Sequence, residues 1–385
     1  MTEVIIKKCP SYASSLLKAA ASEIFKHFGG VNALYKKGSR VAVKVNLITP
    51  AKPEEAIVTH PAVVRAFCEE LVSAGVIPVI MDSPNAAIKY SPESLKKIYE
   101  ECGYIEHLKG LPVEFNYDVS SVNVKIENGK VIKFAELICP LLKADGVLNL
   151  AKGKTHAFTY ITGATKNLFG TVAGINKGAY HAKLKNVENF SQMLLDIAGF
   201  VKPALSVIDA VLCMEGNGPT GGTPKQAGYL IASTNTCAAD KVFCDLIGFP
   251  FLSYPLLKKA SERGILAADS IRLTGTYEQV QNFKMADTSA GLYGFVNPNA
   301  VTRLFAVLAK DLLTLKPDMN SNCTGCAVCA KGCPMKAISI KKKRAVIDHS
   351  KCIRCYCCHE MCPNKAVDLK KKALYRLGEK LLGRK

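Results

Sequence analysis

The 385-residue chain contains no tryptophan, and only 8% of its residues are aromatic. So few rings give little for bases to stack on, which argues against a nucleic-acid partner. Acid is scarce as well. Thirty-two Asp and Glu face 51 Lys and Arg, for a formal net charge of +19. An excess of that sign suits anionic small molecules, acidic partner proteins or anionic lipid. No run approaches the roughly twenty apolar residues of a spanning helix. The opening MTEVIIKKCP has no signal-peptide core. These gaps, with the cysteines described next, lead to an expectation of a reducing, cytoplasmic setting.

Cysteine is what the chain has in abundance, with sixteen residues. Eight of them form two copies of C-x2-C-x2-C-x3-C-P: Cys323, Cys326, Cys329 and Cys333 before Pro334, then Cys352, Cys355, Cys358 and Cys362 before Pro363. This is the run with which bacterial ferredoxins hold two [4Fe–4S] clusters. The fourth cysteine of each run serves the other cluster. One cluster therefore takes Cys323, Cys326, Cys329 and Cys362, and the other takes Cys352, Cys355, Cys358 and Cys333. The duplication continues past the cysteines, with CPMKAISI echoed by CPNKAVDL. Zinc favours paired knuckles, often with histidine, and disulfides need an oxidising compartment. Cys357, beside Cys358, stands outside the repeat, as a spectator thiol or as a ligand in place of Cys358 at the expense of the repeated spacing, and His349 and His359 flank the same run. Two solvent-near clusters suggest an anaerobic or microaerobic host.

The remainder is long enough for a core of its own. RVAVKVNL, VIPVIMD, DGVLNLAK, ALSVIDAVL and AGYLIAS read as strands, separated by helical patterns such as PAVVRAFCEELVSAG. That alternation predicts an α/β fold, a mostly parallel sheet covered by helices, followed by a C-terminal α+β dicluster unit. The expected divisions are 1–316, 317–369 and a basic amphipathic tail, 370–385. Residues between Val113 and Leu137 read as a hairpin turning at Asn128–Gly129. AISI-KKKR-AVID reads as another, and Ser289 to Asn299 reads as irregular. The tail either docks on the body or touches a membrane surface.

Catalytic groups of such sheets gather at the carboxyl ends of strands. Lys44 and Asn46, Asp82 and Ser83, and Lys152, Lys154 and His156 fall there. The segment NLAKGKTHAFTYITGATKNLFGTVAG adds Thr162, Lys166 and Asn167. Lysines with glycine amides suit phosphate or carboxylate. This segment is neither a Walker loop nor a dinucleotide turn, so neither ATP nor a nicotinamide cofactor is indicated. His156 can move a proton near neutral pH or serve as a structural histidine; His60 and His181 share that ambiguity. MEGNGPTGGTP, carrying Glu215, reads as a ligand loop or a long connector. Asp240 is positioned to cap a helix.

This ordered set resembles the domain-of-unknown-function 362 family, whose ferredoxin-fused members carry a dicluster unit in the same place. The K-x-H…TG-x-x-KN-x-[FL]G core carries the resemblance. It implies an iron–sulfur protein common in anaerobic bacteria and archaea, and no known reaction.

The leading expectation is an oxidoreductase. Low-potential electrons from a soluble carrier or redox partner pass through the ferredoxin unit to an anionic small molecule. Lys44, Asn46, Asp82, Lys152, Thr162, Lys166, Asn167 and Glu215 are the expected binding residues, and His156 and Lys154 the catalytic ones. Two [4Fe–4S] clusters are expected; the phosphate of a flavin is an alternative anion for the lysines, although no flavin motif is present. The alternatives are a non-catalytic carrier that docks a redox partner and an enzyme whose clusters are structural. No feature fixes an oligomeric state.

Overall fold

The computed structural model of the protein describes residues 1–174, 176–184, 186–288 and 315–370. The strands of the larger unit are β1 Thr2–Lys8, β2 Arg40–Lys44, β3 Ile77–Met81, β4 Glu114–Phe115, β5 Ser121–Lys125 and β6 Phe134–Ile138. They continue with β7 Gly146–His156, β8 Tyr160–Thr162, β9 Leu205–Glu215, β10 Thr223–Ser233 and β11 Ile271–Thr274. Nine of them form one sheet in the order β11-β1-β10-β9-β7-β2-β3-β4, with β8 attached to β7. Pairing is parallel for β1/β11, β2/β3, β2/β7, β3/β4 and β7/β9. It is antiparallel for β1/β10, β9/β10 and β7/β8. The fold is thus the expected mostly parallel α/β sheet.

Both faces are covered, which is why these strands read as continuous apolar runs. Val41, Val43, Leu148 and Leu150 point into a core shared with the helices Ser14–His27 and Pro61–Ser73. Ala42, Val147, Ala151 and Ile208 point into another, shared with the helices Val187–Val201 and Thr236–Leu246. From β2 the chain winds outward through β3 and β4; from the adjacent β7 it winds the other way through β9 and β10. The carboxyl ends of β2 and β7 therefore flank a topological switch point, where open α/β sheets place their ligands.

The hairpin expected between Val113 and Leu137 forms from β5 and β6, while Glu114–Phe115 joins the main-sheet edge instead. β1 and β11 carry no local signal strong enough to announce them, since each is a strand only through non-local pairing. The irregular segment expected at Ser289 to Asn299 and the tail beyond Lys370 lie outside the described residues.

The cysteine-rich unit is a small α+β element. β12 Lys316–Met319 pairs antiparallel with β15 Val367–Lys370, and β13 Ile338–Lys341 pairs with β14 Arg344–Ile347. The two residues of the tight turn, Lys342 and Lys343, have φ of 47° and 59°, the left-handed pair a two-residue hairpin needs. The repeat is visible in the backbone. Ala327 and Tyr356 share left-handed φ (65° and 59°), as do Lys336 and Lys365 (50° and 47°).

Candidate functional site

Two voids lie in the cysteine-rich unit. One is ringed by Cys323, Cys326, Cys329 and Cys362, the other by Cys333, Cys352, Cys355 and Cys358. This is the partition the repeat predicts, each run lending its fourth cysteine to the opposite void. Their empty space is about 300 and 370 Å³. Backbone amides point at sulfur: Ala337 N to Cys333 Sγ at 3.3 Å, Ala366 N to Cys362 Sγ at 3.2 Å and Ala345 N to Cys323 Sγ at 3.4 Å. The Ala345 contact leads the causes that hold the Cys323 thiol below its ordinary pKa. Such amides tune the charge on cluster sulfurs. Among the described residues no three His, Cys, Asp or Glu side chains close on a single-ion position, and no cysteine is in a disulfide. The eight thiols and their shells fit [4Fe–4S] clusters.

At the switch point a third cavity opens. One wall holds Asn46, Asp82, Ser83, Asn85, Lys166 and Asn167; the helix Asn176–Lys183 adds Lys177 and His181. The opposite wall comes from the cysteine-rich unit: Gly332, Cys357, Glu360 and Met361. Cys357 also lines the void of the second cysteine ring, so one side chain separates the cavity from that ring.

The structure redraws the expected site. Of the residues expected to bind, Asn46, Asp82, Lys166 and Asn167 line this cavity. Lys44 and Lys152 do not, nor does Lys154, expected to be catalytic, because all three are buried and engaged. Lys44 Nζ lies 2.8 Å from Asp82 Oδ1, and burial pushes its pKa down. Lys152 Nζ lies 2.8 Å from Asp209 Oδ2, both fully buried, and also meets Tyr12 Oη at 2.9 Å. Lys154 Nζ donates to Asn46 Oδ1 at 2.8 Å and to Ile57 O at 2.6 Å; burial pushes its pKa down to about 7. Thr162 is buried in β8 opposite Lys154.

The glycines of the TGATKNLFG segment answer close approaches. A Cβ on Gly163 would stand 2.3 Å from Asp240 Oδ1, and one on Gly170 would stand 2.1 Å from Asp82 Oδ1. Asp240 accepts from Ala164 N (2.6 Å) and Thr165 N (3.0 Å), capping the short helix Ala164–Asn167 from a neighbouring element. At the far end of that helix Asn167 joins the strand ends. Its Oδ1 accepts from Asn46 Nδ2 (3.0 Å), and its Nδ2 donates to Asn149 Oδ1 (2.8 Å). The segment is a frame that presents Lys166 to the cavity.

MEGNGPTGGTP is the connector between β9 and β10 and serves as a ledge for the cysteine-rich unit; it does not line the cavity. Glu215 Oε2 accepts from Lys284 N at 2.9 Å, away from the cavity. Asn217 O lies 2.8 Å from His359 Nε2, whose Nδ1 lies 2.6 Å from Val367 O, and Thr220 Oγ1 donates to Glu360 O at 2.9 Å. Gly216-x-Gly218-x-x-Gly221 has dinucleotide-turn spacing, but it joins the antiparallel strands β9 and β10 and opens no helix.

His156 sits behind the Glu360 wall. Its Nδ1 accepts from Phe158 N (3.0 Å) and Thr159 N (3.3 Å), so the proton of the neutral ring resides on Nε2. Nε2 faces Glu360 Oε2 at 3.5 Å and has no closer partner. Burial, then Lys166, push the His156 pKa down to about 3, while His156 and Lys166 hold the Glu360 carboxyl far below its usual range against the cost of burial. His60 lies elsewhere, stacked on Tyr12 at 3.6 Å with Asp209 beneath. Glu360 and Lys177 escaped the sequence reading. Lys177 and His181 are one helical turn apart, a spacing that places both on one face. Glu360 lies between two cysteines, where the cluster pattern hides it.

Comparison with known proteins agrees with this architecture. A family profile described as domain of unknown function (DUF362) matches residues 41–245, more than half the chain, and a 4Fe-4S dicluster domain matches 317–363. A thylakoid-associated protein of Synechocystis sp. is 30% identical over 269 residues, covering 68% of this chain and 79% of that protein. The lactate racemase apoprotein of Thermoanaerobacterium thermosaccharolyticum is 14% identical, with a TM-score of 0.40 over 63% of this chain and 56% of that one. A Thermotoga maritima protein gives 13% and 0.38 over 61% and 58%. The chain thus spans little more than half the length of these solved structures. No helix of the described residues is long and apolar enough to cross a membrane.

Proposed function

The chain belongs to the DUF362 family, with a dicluster unit appended, and from that premise we propose that it is an oxidoreductase acting on an anionic small molecule in the switch-point cavity. The appended unit marks it as an iron–sulfur electron-transfer protein. A pair of [4Fe–4S] clusters, when bound, supplies electrons one at a time. The observation that carries the reading is Cys357, which lines both the second cysteine ring and the cavity.

The chain's own residues do the rest. Burial pushes the Lys166 pKa down while Glu360 raises it, so a bound anion favours its charged form; Asn46 and Asn167 fix the floor beneath it. Asp82 is neutralised by Lys44, so the cavity keeps a cationic side despite that carboxylate. His156, neutral with its proton on Nε2, stands behind Glu360 and faces that carboxylate, a positioning role for the wall. His359, Thr220 and the Lys365–Glu55 pair (3.2 Å) keep the cysteine-rich unit seated. The electron source in this reading is a soluble carrier or redox partner protein. The thylakoid association of the Synechocystis relative accords with peripheral membrane contact through the basic residues 370–385, on the cytoplasmic side.

The test is anaerobic purification with iron, sulfide and flavin analysis, then titration with dithionite. The reading expects about eight irons and a bleached visible band, retained in Lys166→Ala. Zinc, or no metal, in the cysteine rings overturns it.

A further inference from the structure

The walls of the cavity hold polar groups without partners. Ser83 Oγ and His181 Nδ1 are buried and make no hydrogen bond; their residues are 3% and 7% exposed. The Lys166 ammonium has no hydrogen bond or ion pair among the described residues. Lys177, the other lysine of the lining, already donates to Ser83 O and to Pro84 O (2.7 Å). A buried polar group left unpaired keeps its desolvation cost with nothing to offset it. Two such groups beside the unpaired Lys166 line one space and call for an acceptor that can meet them together.

The acceptor must carry at least two oxygens and a negative charge, to meet a hydroxyl, an imidazole and an ammonium. Charge decides between the candidates. Lys166 is the one lining lysine free of a partner among the described residues, and Glu360 places a carboxylate in the same lining. Lys166 and Lys177 bring at most two positive charges, Glu360 brings one negative, and Asp82 is offset by Lys44, so the lining is left with at most one positive charge, which a monoanion matches and a phosphate dianion exceeds. Ile48, Ala86, Phe169 and Met361 supply apolar wall beside the polar group, which suits a short carbon chain and not a second charge.

We propose that the cavity is a monocarboxylate site, in which Lys166, Ser83 and His181 hold the carboxylate and the apolar wall receives a short aliphatic chain. This rests on the reading of the cavity as the ligand site and narrows it. It also sets the flavin phosphate aside as the anion bound there.

The test uses the full-length, cluster-loaded protein under anaerobic conditions. Acetate, propionate, butyrate, inorganic phosphate and sulfate are titrated by calorimetry at constant ionic strength. The expected result is saturable binding of a carboxylate that strengthens with chain length and is weakened about tenfold or more in Lys166→Met. Ser83→Ala, which removes one small hydroxyl and guards against misfolding of the lysine variant, weakens it several-fold. Iron content checks that each variant retains its clusters. Phosphate or sulfate binding more tightly than any carboxylate, with loss in Lys166→Met, overturns the monocarboxylate assignment and leaves the anion cavity standing. Carboxylate binding that survives both substitutions, or no saturable binding of any probe, overturns both.

Discussion

Lys152 and Lys166 lie on the same segment, yet the fold uses them in opposite ways. Lys152 is sealed against Asp209 in the sheet, while Lys166 faces a cavity with no counter-ion bonded to it. The same contrast separates the two halves of the molecule. In the sheet most charges are consumed in pairs that hold strand ends together. At the seam with the cysteine-rich unit, polar groups are left open. A buried charge with a partner is architecture; one without a partner is a cost the fold bears for a ligand.

The largest effect is expected in the cysteine rings. Replacing Cys355 and Cys358 together by alanine should remove about four of about eight irons, whereas Cys357→Ala should remove none. Iron and sulfide analysis decides, and equal losses in both would make Cys357 a ligand and undo its place as the shared wall. Next comes the sealed pair. Asp209→Ala leaves Lys152 buried and uncompensated and should cost about 3–5 kcal/mol in anaerobic urea unfolding.

A pH test follows. Burial pushes Lys154 and Lys177 down to about 7 from an ordinary 10.5. Between those values the unfolded chain binds protons that the native chain does not. Stability should therefore rise with pH from about 7 to about 10, by up to about 1.4 kcal/mol per pH unit for each lysine. Lys154→Met should flatten that slope. A slope unchanged by the substitution means that the lysine carries its proton when folded. The smallest effect on stability belongs to Lys166→Met, expected within about 0.5 kcal/mol of the parent or slightly stabilising, with anion binding lost. A large destabilisation would place Lys166 with Lys152 and erase the contrast.

The cysteine unit was legible in its sequence because its ligands are chain neighbours. Spacing alone assigned Cys362 and Cys333 to opposite rings, and the two voids repeat that assignment. The sheet was legible in class, because strands buried on both faces read as apolar runs, but β1 and β11 exist only by long-range pairing. The site was half legible. Asn46, Asp82, Lys166 and Asn167 were found because they follow strands or flank a glycine-framed helix. Lys44, Lys152 and Lys154 looked equally functional, since nothing local reveals that Asp82, Asp209 and Ile57 O absorb their charge. Glu360 comes from the other unit, more than two hundred residues from His156, so only the folded contact shows it.

The central claim is that the ligand cavity abuts one cysteine ring and not both. Electron paramagnetic resonance of the dithionite-reduced protein, recorded with and without saturating butyrate, tests it most directly. The account predicts that one of two cluster signals changes and that the change is absent in Lys166→Met; butyrate that alters neither signal, or both equally, contradicts it.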